Sequence, residues 1–263
     1  MKMISYLSPN LFWFYQAVAD SLSRQLNQKV DLSQATCDPL VDPMLQQNQV
    51  DLAFICGLPL LRHNRSAKQP LQLVVAPIMR SRRYQNQPIY FADVVVSRAS
   101  QIETLQDLAD KSFCYNDRGS NSGYNLIRHR LLEKGYLPNF FENTQASGSH
   151  QRSLQWIIQG LADCAAIDSV VLEEEIRQYP QIAEKIRIIE SISSPIPPLV
   201  ASANLDQEFI QKLQRILLQP DPVLQTAMTK AQVHCYTRVT ERDYQTIIQS
   251  YDSAIAFGYE WIT

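Results

Sequence analysis

Strand-like and helix-like patterns alternate along most of this 263-residue chain, and that alternation restricts its fold more than any other feature. Short apolar runs indicate buried strands, whereas apolar residues spaced three and four apart indicate amphipathic helices. Repeated strand–helix units are typical of α/β proteins with parallel sheets, and we predict that fold class. The three pairs that carry the prediction are 2–7 with 11–26, 112–115 with the helix after residue 122, and 162–167 with 170–178.

Two segments of the sequence are candidate connections between domains. Residues 193–198 are rich in serine and proline, which favours an extended backbone, and a second connection is expected at residues 88–94. The length is sufficient for two domains with hydrophobic cores. We therefore expect a discontinuous lobe 1, residues 1–90 plus 195–263, and a lobe 2 of residues 91–194, with every C-terminal helix in lobe 1.

Composition and charge argue against several classes of protein. The formal net charge is −2 and no acidic or basic block occurs, which argues against nucleic-acid binding. No apolar run approaches the roughly 18 residues of a membrane-spanning helix. Residues 1–10 lack the charged start and apolar core of a secretory signal. We expect a periplasmic location if a signal was removed, and a cytoplasmic one if Met1 is the native start.

The cysteines and histidines predict neither a disulfide framework nor a metal site. The five cysteines are odd in number and widely spaced, and Cys56, Cys114 and Cys164 lie in apolar runs. We therefore expect free, buried thiols, consistent with a reducing compartment. The four histidines show no metal-ligand spacing, and we expect no metal and no cofactor.

The residues between a strand and the next helix, 116–123, form what we call the anion loop. A helix N-terminus exposes unpaired N–H groups and about half a positive charge, which an Asp or Glu in the first turn usually neutralises. None occurs in residues 120–129, where Ser120, Asn121 and Ser122 supply donor groups instead. This pattern predicts a site for an external anion.

Glycine is scarce: only 7 of the 263 residues are glycine, a much lower fraction than the roughly 7% of an average protein. Each glycine is therefore expected to lie where the backbone conformation or a close approach excludes a larger residue. Two of them, Gly119 and Gly123, bracket the serines of the anion loop, which supports a tight turn there.

Three strand-to-helix junctions share one pattern, at 116–123, 147–150 and 168–169. In an open parallel sheet, ligands bind outside the carboxyl ends of the strands, so these turns should gather on one rim. They would bring Ser149, His150 and Asp168 to the anion loop. The alternative for Ser149 and Asp168 is that each simply caps its own helix.

The loop does not match the common nucleotide or hydrolase motifs. It has no lysine, which excludes a P-loop, and no Gly-x-Gly-x-x-Gly. The sequence Gly-Ser-Asn-Ser-Gly places asparagine where a Gly-x-Ser-x-Gly elbow needs its nucleophile. Catalysis through Ser122, His150 and Asp168 is a minor alternative.

Six runs of the sequence, spread over nearly the whole chain, carry a further signal: 51–59, 90–96, 105–111, 116–124, 147–150 and 165–169. Together they resemble the phosphate/phosphite/phosphonate-binding proteins of ABC transporters. The resemblance implies a type-2 periplasmic-binding-protein fold: two α/β lobes, a double crossover between them, and an oxyanion held in the interlobe cleft.

The resemblance also implies roles for individual residues. Ser120, Asn121 and Ser122 match the family's phosphorus-oxyanion loop, which commonly reads Ser-Thr-Ser, so asparagine is a departure. His150 matches a histidine that reaches the oxyanion, and Asp168 matches an acid that accepts the ligand's proton.

Other positions of the ligand site are less directly implied. Tyr90 lies near an aromatic, ligand-facing position at the first crossing, and Gly123 and Ser149 complete the expected ligand-binding set. Some relatives carry a tyrosine in lobe 1 where this chain has 37–39, Cys-Asp-Pro.

The function favoured is binding of phosphate, phosphite or a phosphonate for an ABC transporter permease, by a monomer and without catalysis. A carboxylate is a pure acceptor, so Asp168 should favour a protonated oxyanion over sulfate. Two alternatives stay open: a cytoplasmic enzyme of cofactor biosynthesis on the same fold, and a ligand-sensing subunit for a separate chain.

Overall fold

A computed structural model describes residues 1–262 of the chain, which form two compact units. Unit 1 contains Met1–Ile89 and Pro195–Gln245, and unit 2 contains Tyr90–Ser194 and the residues from Thr246 onward. The chain therefore passes between the units three times. The expected α/β class is confirmed, since each unit has its own sheet with helices.

The described residues contain eleven strands and ten α-helices, numbered in chain order. The strands are β1 (Lys2–Ser5), β2 (Asp31–Gln34), β3 (Leu52–Phe54), β4 (Gln72–Met79), β5 (Ile89–Ser97), β6 (Ser112–Tyr115), β7 (Asn143–Ala146), β8 (Cys164–Asp168), β9 (Ile186–Pro195), β10 (Leu199–Ala201) and β11 (Val233–Thr237). The helices are α1 (Phe12–Leu26), α2 (Pro43–Gln46), α3 (Gly57–Ser66), α4 (Leu126–Glu133), α5 (His150–Gln159), α6 (Ser169–Gln178), α7 (Ile182–Lys185), α8 (Gln207–Leu218), α9 (Pro222–Lys230) and α10 (Glu241–Ala256).

The sheet of unit 1 has the strand order β11-β4-β10-β3-β1-β2. Strand β1 pairs in parallel with β2 and β3, but β10 and β11 run antiparallel to their neighbours. The sheet is therefore mixed, with parallel pairing as expected at β1, β2 and β3 and antiparallel pairing at β10 and β11. Strand β10 follows the second crossing and enters the sheet from the opposite end.

The sheet of unit 2 has the order β7-β6-β8-β5-β9. Strands β7, β6 and β8 are parallel, whereas β5 runs antiparallel to β8. Successive residues of β5, Val94 and Val95, belong to different apolar clusters, as do Phe113 and Cys114 in β6. Both faces of this sheet are therefore covered, which explains why its strands read as continuous apolar runs.

The C-terminal residues lie in a different unit from the one expected. The sequence placed 246–263 with lobe 1, but Ala254, Tyr259 and Ile262 join an apolar cluster of unit 2. The Ile262 N–H donates to the Tyr124 hydroxyl at 2.8 Å. The boundary between the two units falls inside α10. Because the helical spacing continues across it, the sequence pattern does not show where the boundary lies.

Two elements of unit 1 escaped the sequence analysis. Helix α3 begins at Gly57 and has Pro59 in its first turn, so its start resembles a loop. Strand β11 has only five residues and lies between α9 and α10, in a region where helical spacing dominates the sequence. By contrast, the helical spacing of residues 206–218 and 222–230 predicts two helices, and the structure has them as α8 and α9. Asp206 and Asp221 cap these helices by accepting from backbone N–H groups at 2.7 Å.

The five cysteines are free thiols in the described structure. Cys114 and Cys164 are buried in the sheet of unit 2, as their apolar neighbours predicted. Cys56 and Cys235 are only half-buried and Cys37 is exposed, so the expectation of buried thiols is wrong for these three. None of the helices within residues 1–262 is long and apolar enough to cross a membrane.

Candidate functional site

The three predicted junctions lie on one rim of the sheet of unit 2. Strands β7, β6 and β8 are neighbours and parallel, and each is followed by a helix that begins at its carboxyl end. The N-termini of three helices therefore lie along the same edge. Such an edge presents unpaired N–H groups to a ligand.

The anion loop leads into an irregular helix start. A π-helical turn covers Asn121–Asn125 and continues directly into α4. Ser120 is its cap, since its hydroxyl accepts from the Gly123 N–H at 3.0 Å. No acidic residue lies in this turn, as the sequence indicated. The positive end of the helix is therefore not neutralised by its own first turn.

Gly123 is required by close packing. A Cβ atom at this position would lie 1.8 Å from Oδ1 of Asn116 and 3.1 Å from Cε1 of His150. Both distances are below ordinary van der Waals contact. The glycine thus allows the helix start to approach the side chains of the neighbouring junctions.

Ser122 and His150 are brought together by the fold. The hydroxyl of Ser122 lies 3.1 Å from Nε2 of His150, and both residues are buried. Burial lowers the pKa of His150 to about 4, opposed in part by the nearby carbonyl of Ala166. Its Nδ1 atom makes no hydrogen bond. The imidazole is therefore neutral at neutral pH.

Ser149 serves as a helix cap rather than as part of this pair. Its hydroxyl accepts from the N–H of Arg152 at 3.1 Å at the start of α5. This is the alternative role that the sequence left open. Its backbone still places His150 as the first residue of α5.

Asp168 ends β8 and combines a capping role with an available acceptor. Its Oδ1 accepts from the N–H of Val170 at 2.8 Å and of Val171 at 3.4 Å, while Oδ2 makes no hydrogen bond. Desolvation raises the pKa of Asp168 to about 7, and the carboxylate of Asp93 adds to the increase. The carboxyl group can therefore hold or release a proton near neutral pH.

Asn121 does not present its side chain to the rim. Its amide nitrogen donates to the hydroxyls of Tyr90 at 3.1 Å and Ser194 at 2.9 Å, and its Oδ1 accepts from Asn125. All of its side-chain hydrogen-bonding groups are occupied within the protein. What it can offer a ligand is its backbone.

Tyr90 is likewise directed into the protein. Its side chain is 1% exposed, and its hydroxyl accepts the bond from Asn121. Sequence reasoning selected Tyr90 but missed Ser194 and Asn125, which hold the same amide. These two residues carry no distinguishing pattern in the sequence, because their importance depends on contacts with distant residues.

The side chains that commonly ligate metals are dispersed in the part of the chain that the structure describes. Residues 1–262 contain no group of three or more His, Cys, Asp or Glu side chains placed to hold a metal ion. The chemistry of the rim is that of hydrogen-bond donors, one neutral histidine and one carboxyl group.

Residues 2–244 match the family described as ABC transporter, phosphonate, periplasmic substrate-binding protein. The match covers most of the chain, so this protein belongs to that family. The resemblance found in the sequence is thereby confirmed. Among functionally curated proteins, none matches the sequence significantly.

Solved structures with the same fold include binding proteins for phosphorus and sulfur oxyanions. A binding-protein component of an ABC phosphonate transporter from Pseudomonas aeruginosa has a TM-score of 0.81 and 18% identity, covering 95% of this chain and 84% of that one. PhnD1 from Prochlorococcus marinus, solved with methylphosphonate, has a TM-score of 0.83 and 15% identity, covering 98% of both.

The periplasmic aliphatic sulphonate binding protein SsuA from Escherichia coli is more distant. Its TM-score is 0.64 at 16% identity, covering 97% of this chain and 87% of that one. At these identities the likenesses establish the type-2 periplasmic-binding-protein fold. They also show that one fold serves both kinds of anion, so selectivity must come from individual side chains.

Proposed function

We propose that this protein binds a phosphonate at the rim of unit 2 and delivers it to the permease of an ABC transporter. The observation that carries the proposal is the buried contact between Ser122 and neutral His150, at a helix N-terminus without an acidic residue. The family and the methylphosphonate complex of the Prochlorococcus protein support the same ligand class.

The phosphonate oxygens are bound mainly by donors of the anion loop. The backbone N–H groups of the first helical turn form the positive end of the helix dipole, and with the hydroxyl of Ser122 they donate to the ligand oxygens. Each charge-assisted hydrogen bond contributes about 1.5–3 kcal/mol. Four or five of them, less the cost of immobilising the ligand, are compatible with micromolar affinity, about −8 kcal/mol.

His150 orients the serine hydroxyl. The hydroxyl of Ser122 and Nε2 of the neutral imidazole share one hydrogen bond across the observed 3.1 Å, and its direction depends on which ring nitrogen carries the proton. In the tautomer with the proton on Nε2, the oxygen of Ser122 accepts from the imidazole and its hydroxyl proton is directed to the ligand. Because the low pKa keeps His150 uncharged, its contribution is a hydrogen bond and not an ion pair.

Asp168 recognises the proton carried by the ligand by accepting a hydrogen bond from it. Its Oδ2 atom, which makes no hydrogen bond within the protein, accepts the P–O–H group of a protonated phosphonate. The pKa of about 7 lies close to the second pKa of a phosphoryl group, near 6. One proton is therefore shared between the carboxyl group and the ligand. A sulfonate or sulfate carries no such proton at neutral pH.

Titration calorimetry with methylphosphonate and methanesulfonate tests this function, because the two ligands match in shape but differ in their ability to hold a proton. The expected result is micromolar binding of methylphosphonate and at least tenfold weaker binding of methanesulfonate. Phosphite and phosphate, titrated in parallel, define how much the carbon substituent contributes. Equal affinity for the matched pair, or preference for methanesulfonate, contradicts the proposal.

A further inference from the structure

The side chain of Asn121 links the anion loop to two segments that join the units. Its amide nitrogen donates to the hydroxyls of Tyr90 and Ser194, at 3.1 and 2.9 Å. Tyr90 is the first residue of unit 2 after the first crossing, and Ser194 is the last before the second crossing. One buried amide therefore holds both connections.

The same network extends toward the third connection. Asn125, one turn further along, donates to Oδ1 of Asn121 at 3.1 Å and to the hydroxyl of Ser250 at 3.2 Å. Ser250 lies in α10, the helix that contains the third crossing. Arg128 donates to Oδ1 of Asn125 at 2.8 Å and fixes its orientation.

The network is well suited to transmit a change in the loop. Asn121 is 0% exposed, and its two amide hydrogens and its oxygen all have partners within unit 2. A buried amide in this state cannot shift without breaking a hydrogen bond, because no water replaces the lost partner. Its backbone belongs to the first turn of the helix that we propose to bind the oxyanion.

We propose that Asn121 is a positioning residue that couples oxyanion binding at the anion loop to the joining segments around Tyr90 and Ser194. The inference rests on the proposed function of the rim. Binding at the backbone N–H groups stabilises the helix start, and the amide of Asn121 passes that stabilisation to both segments. The asparagine in the Ser-Asn-Ser sequence thus serves the connections and not the ligand directly.

Amide hydrogen exchange with and without saturating methylphosphonate tests the coupling. In the wild type, ligand is expected to slow exchange in peptides covering 116–125 and also in those covering 88–91 and 193–196. In the Tyr90→Phe/Ser194→Ala double variant, which retains Asn121, protection of 116–125 should persist. Protection of the two joining segments should fall by at least half, and affinity should weaken by about three- to tenfold.

Two further variants control for folding. Asn121→Ala should give the same loss of coupled protection, and the double variant covers the case in which Asn121→Ala does not fold. Tyr236→Phe removes a buried hydroxyl of unit 1 that makes no hydrogen bond, and it should behave as wild type.

The outcomes separate this inference from the function on which it rests. Methylphosphonate binding with undiminished protection of the joining segments in the double variant overturns the coupling alone. A wild type that binds no methylphosphonate contradicts the proposed function and removes the coupling with it. Loss of joining-segment protection in both Asn121→Ala and the double variant, with the loop still protected, supports the coupling.

Discussion

The hydroxyl of Ser122 lies 3.1 Å from Nε2 of His150, so that the helix start after β6 is bonded to the first residue of α5. This contact joins two of the three helix N-termini on the rim. It also defines which atoms of the predicted site act together.

Removing either partner of this contact should weaken ligand binding. Ser122→Ala and His150→Ala are each expected to cost about 1.5–3 kcal/mol of methylphosphonate binding, roughly ten- to a hundredfold. Because both act through one hydrogen bond, the double variant should lose little more than either single variant. Calorimetry measures all three, and fully additive losses would show that the two side chains act independently.

A matched control is available in unit 1. Ser21 is fully buried, and its hydroxyl donates to Asp221 at 3.0 Å. Ser21→Ala removes a buried serine hydroxyl far along the sequence from the rim, so stability should fall while methylphosphonate affinity is retained.

His150 should remain neutral through the physiological pH range. Its pKa of about 4 lies below the ordinary value of 6.5. Between these two pH values the imidazole therefore stays neutral in the folded protein and is protonated in the unfolded chain. This residue's contribution to stability is complete above pH 6.5 and is lost as the pH falls toward 4. NMR titration of the imidazole resonances should show no transition between pH 5 and 8, whereas a midpoint near 6.5 would contradict the account.

Ligand binding should be linked to a proton through Asp168. With its pKa near 7 and that of a phosphoryl group near 6, the complex holds one proton shared by the two groups. Binding should therefore release a proton below pH ~6, where the free partners carry two, and take one up above pH ~7, where they carry none. Calorimetry in buffers of different ionisation enthalpy measures this linkage. A proton count that stays at zero across the range argues against the shared proton.

Gly123→Ala should disturb the rim through packing. The added Cβ would meet Oδ1 of Asn116 at 1.8 Å and Cε1 of His150 at 3.1 Å. We expect a loss of about 1–3 kcal/mol of stability and weaker methylphosphonate binding, because both neighbours must move. Gly135→Ala is the control. The positive φ of 76° makes alanine unfavourable at this position, but apart from its chain neighbours no heavy atom lies within 4 Å of the added Cβ. It should lower stability and leave affinity unchanged.

The gathering of three junctions on one rim could be predicted from the sequence. It follows from strand–helix alternation alone, because the carboxyl ends of parallel neighbours share an edge. The absence of acidic residues after Ser120 likewise identified the helix N-terminus that the structure leaves without a neutralising charge.

The directions of individual side chains could not be predicted in the same way. Asn121 reads as a donor to a ligand, but its partners Tyr90 and Ser194 lie 31 and 73 residues away. The C-terminal residues were assigned to the wrong unit for the same reason, since Tyr259 and Ile262 pack against a core built from the middle of the chain. Such contacts depend on the completed fold and leave no periodic pattern.

Two titrations of Asp168→Asn, one with methylphosphonate and one with sulfate, determine directly whether this carboxyl group recognises the ligand's proton. Asparagine keeps an oxygen able to cap α6 and replaces Oδ2, the free acceptor, by an N–H donor. Methylphosphonate affinity should fall by roughly 1.5–3 kcal/mol, about ten- to a hundredfold, while sulfate binds equally or more tightly. Unchanged affinities for both anions, or a wild type that prefers sulfate, would contradict the account.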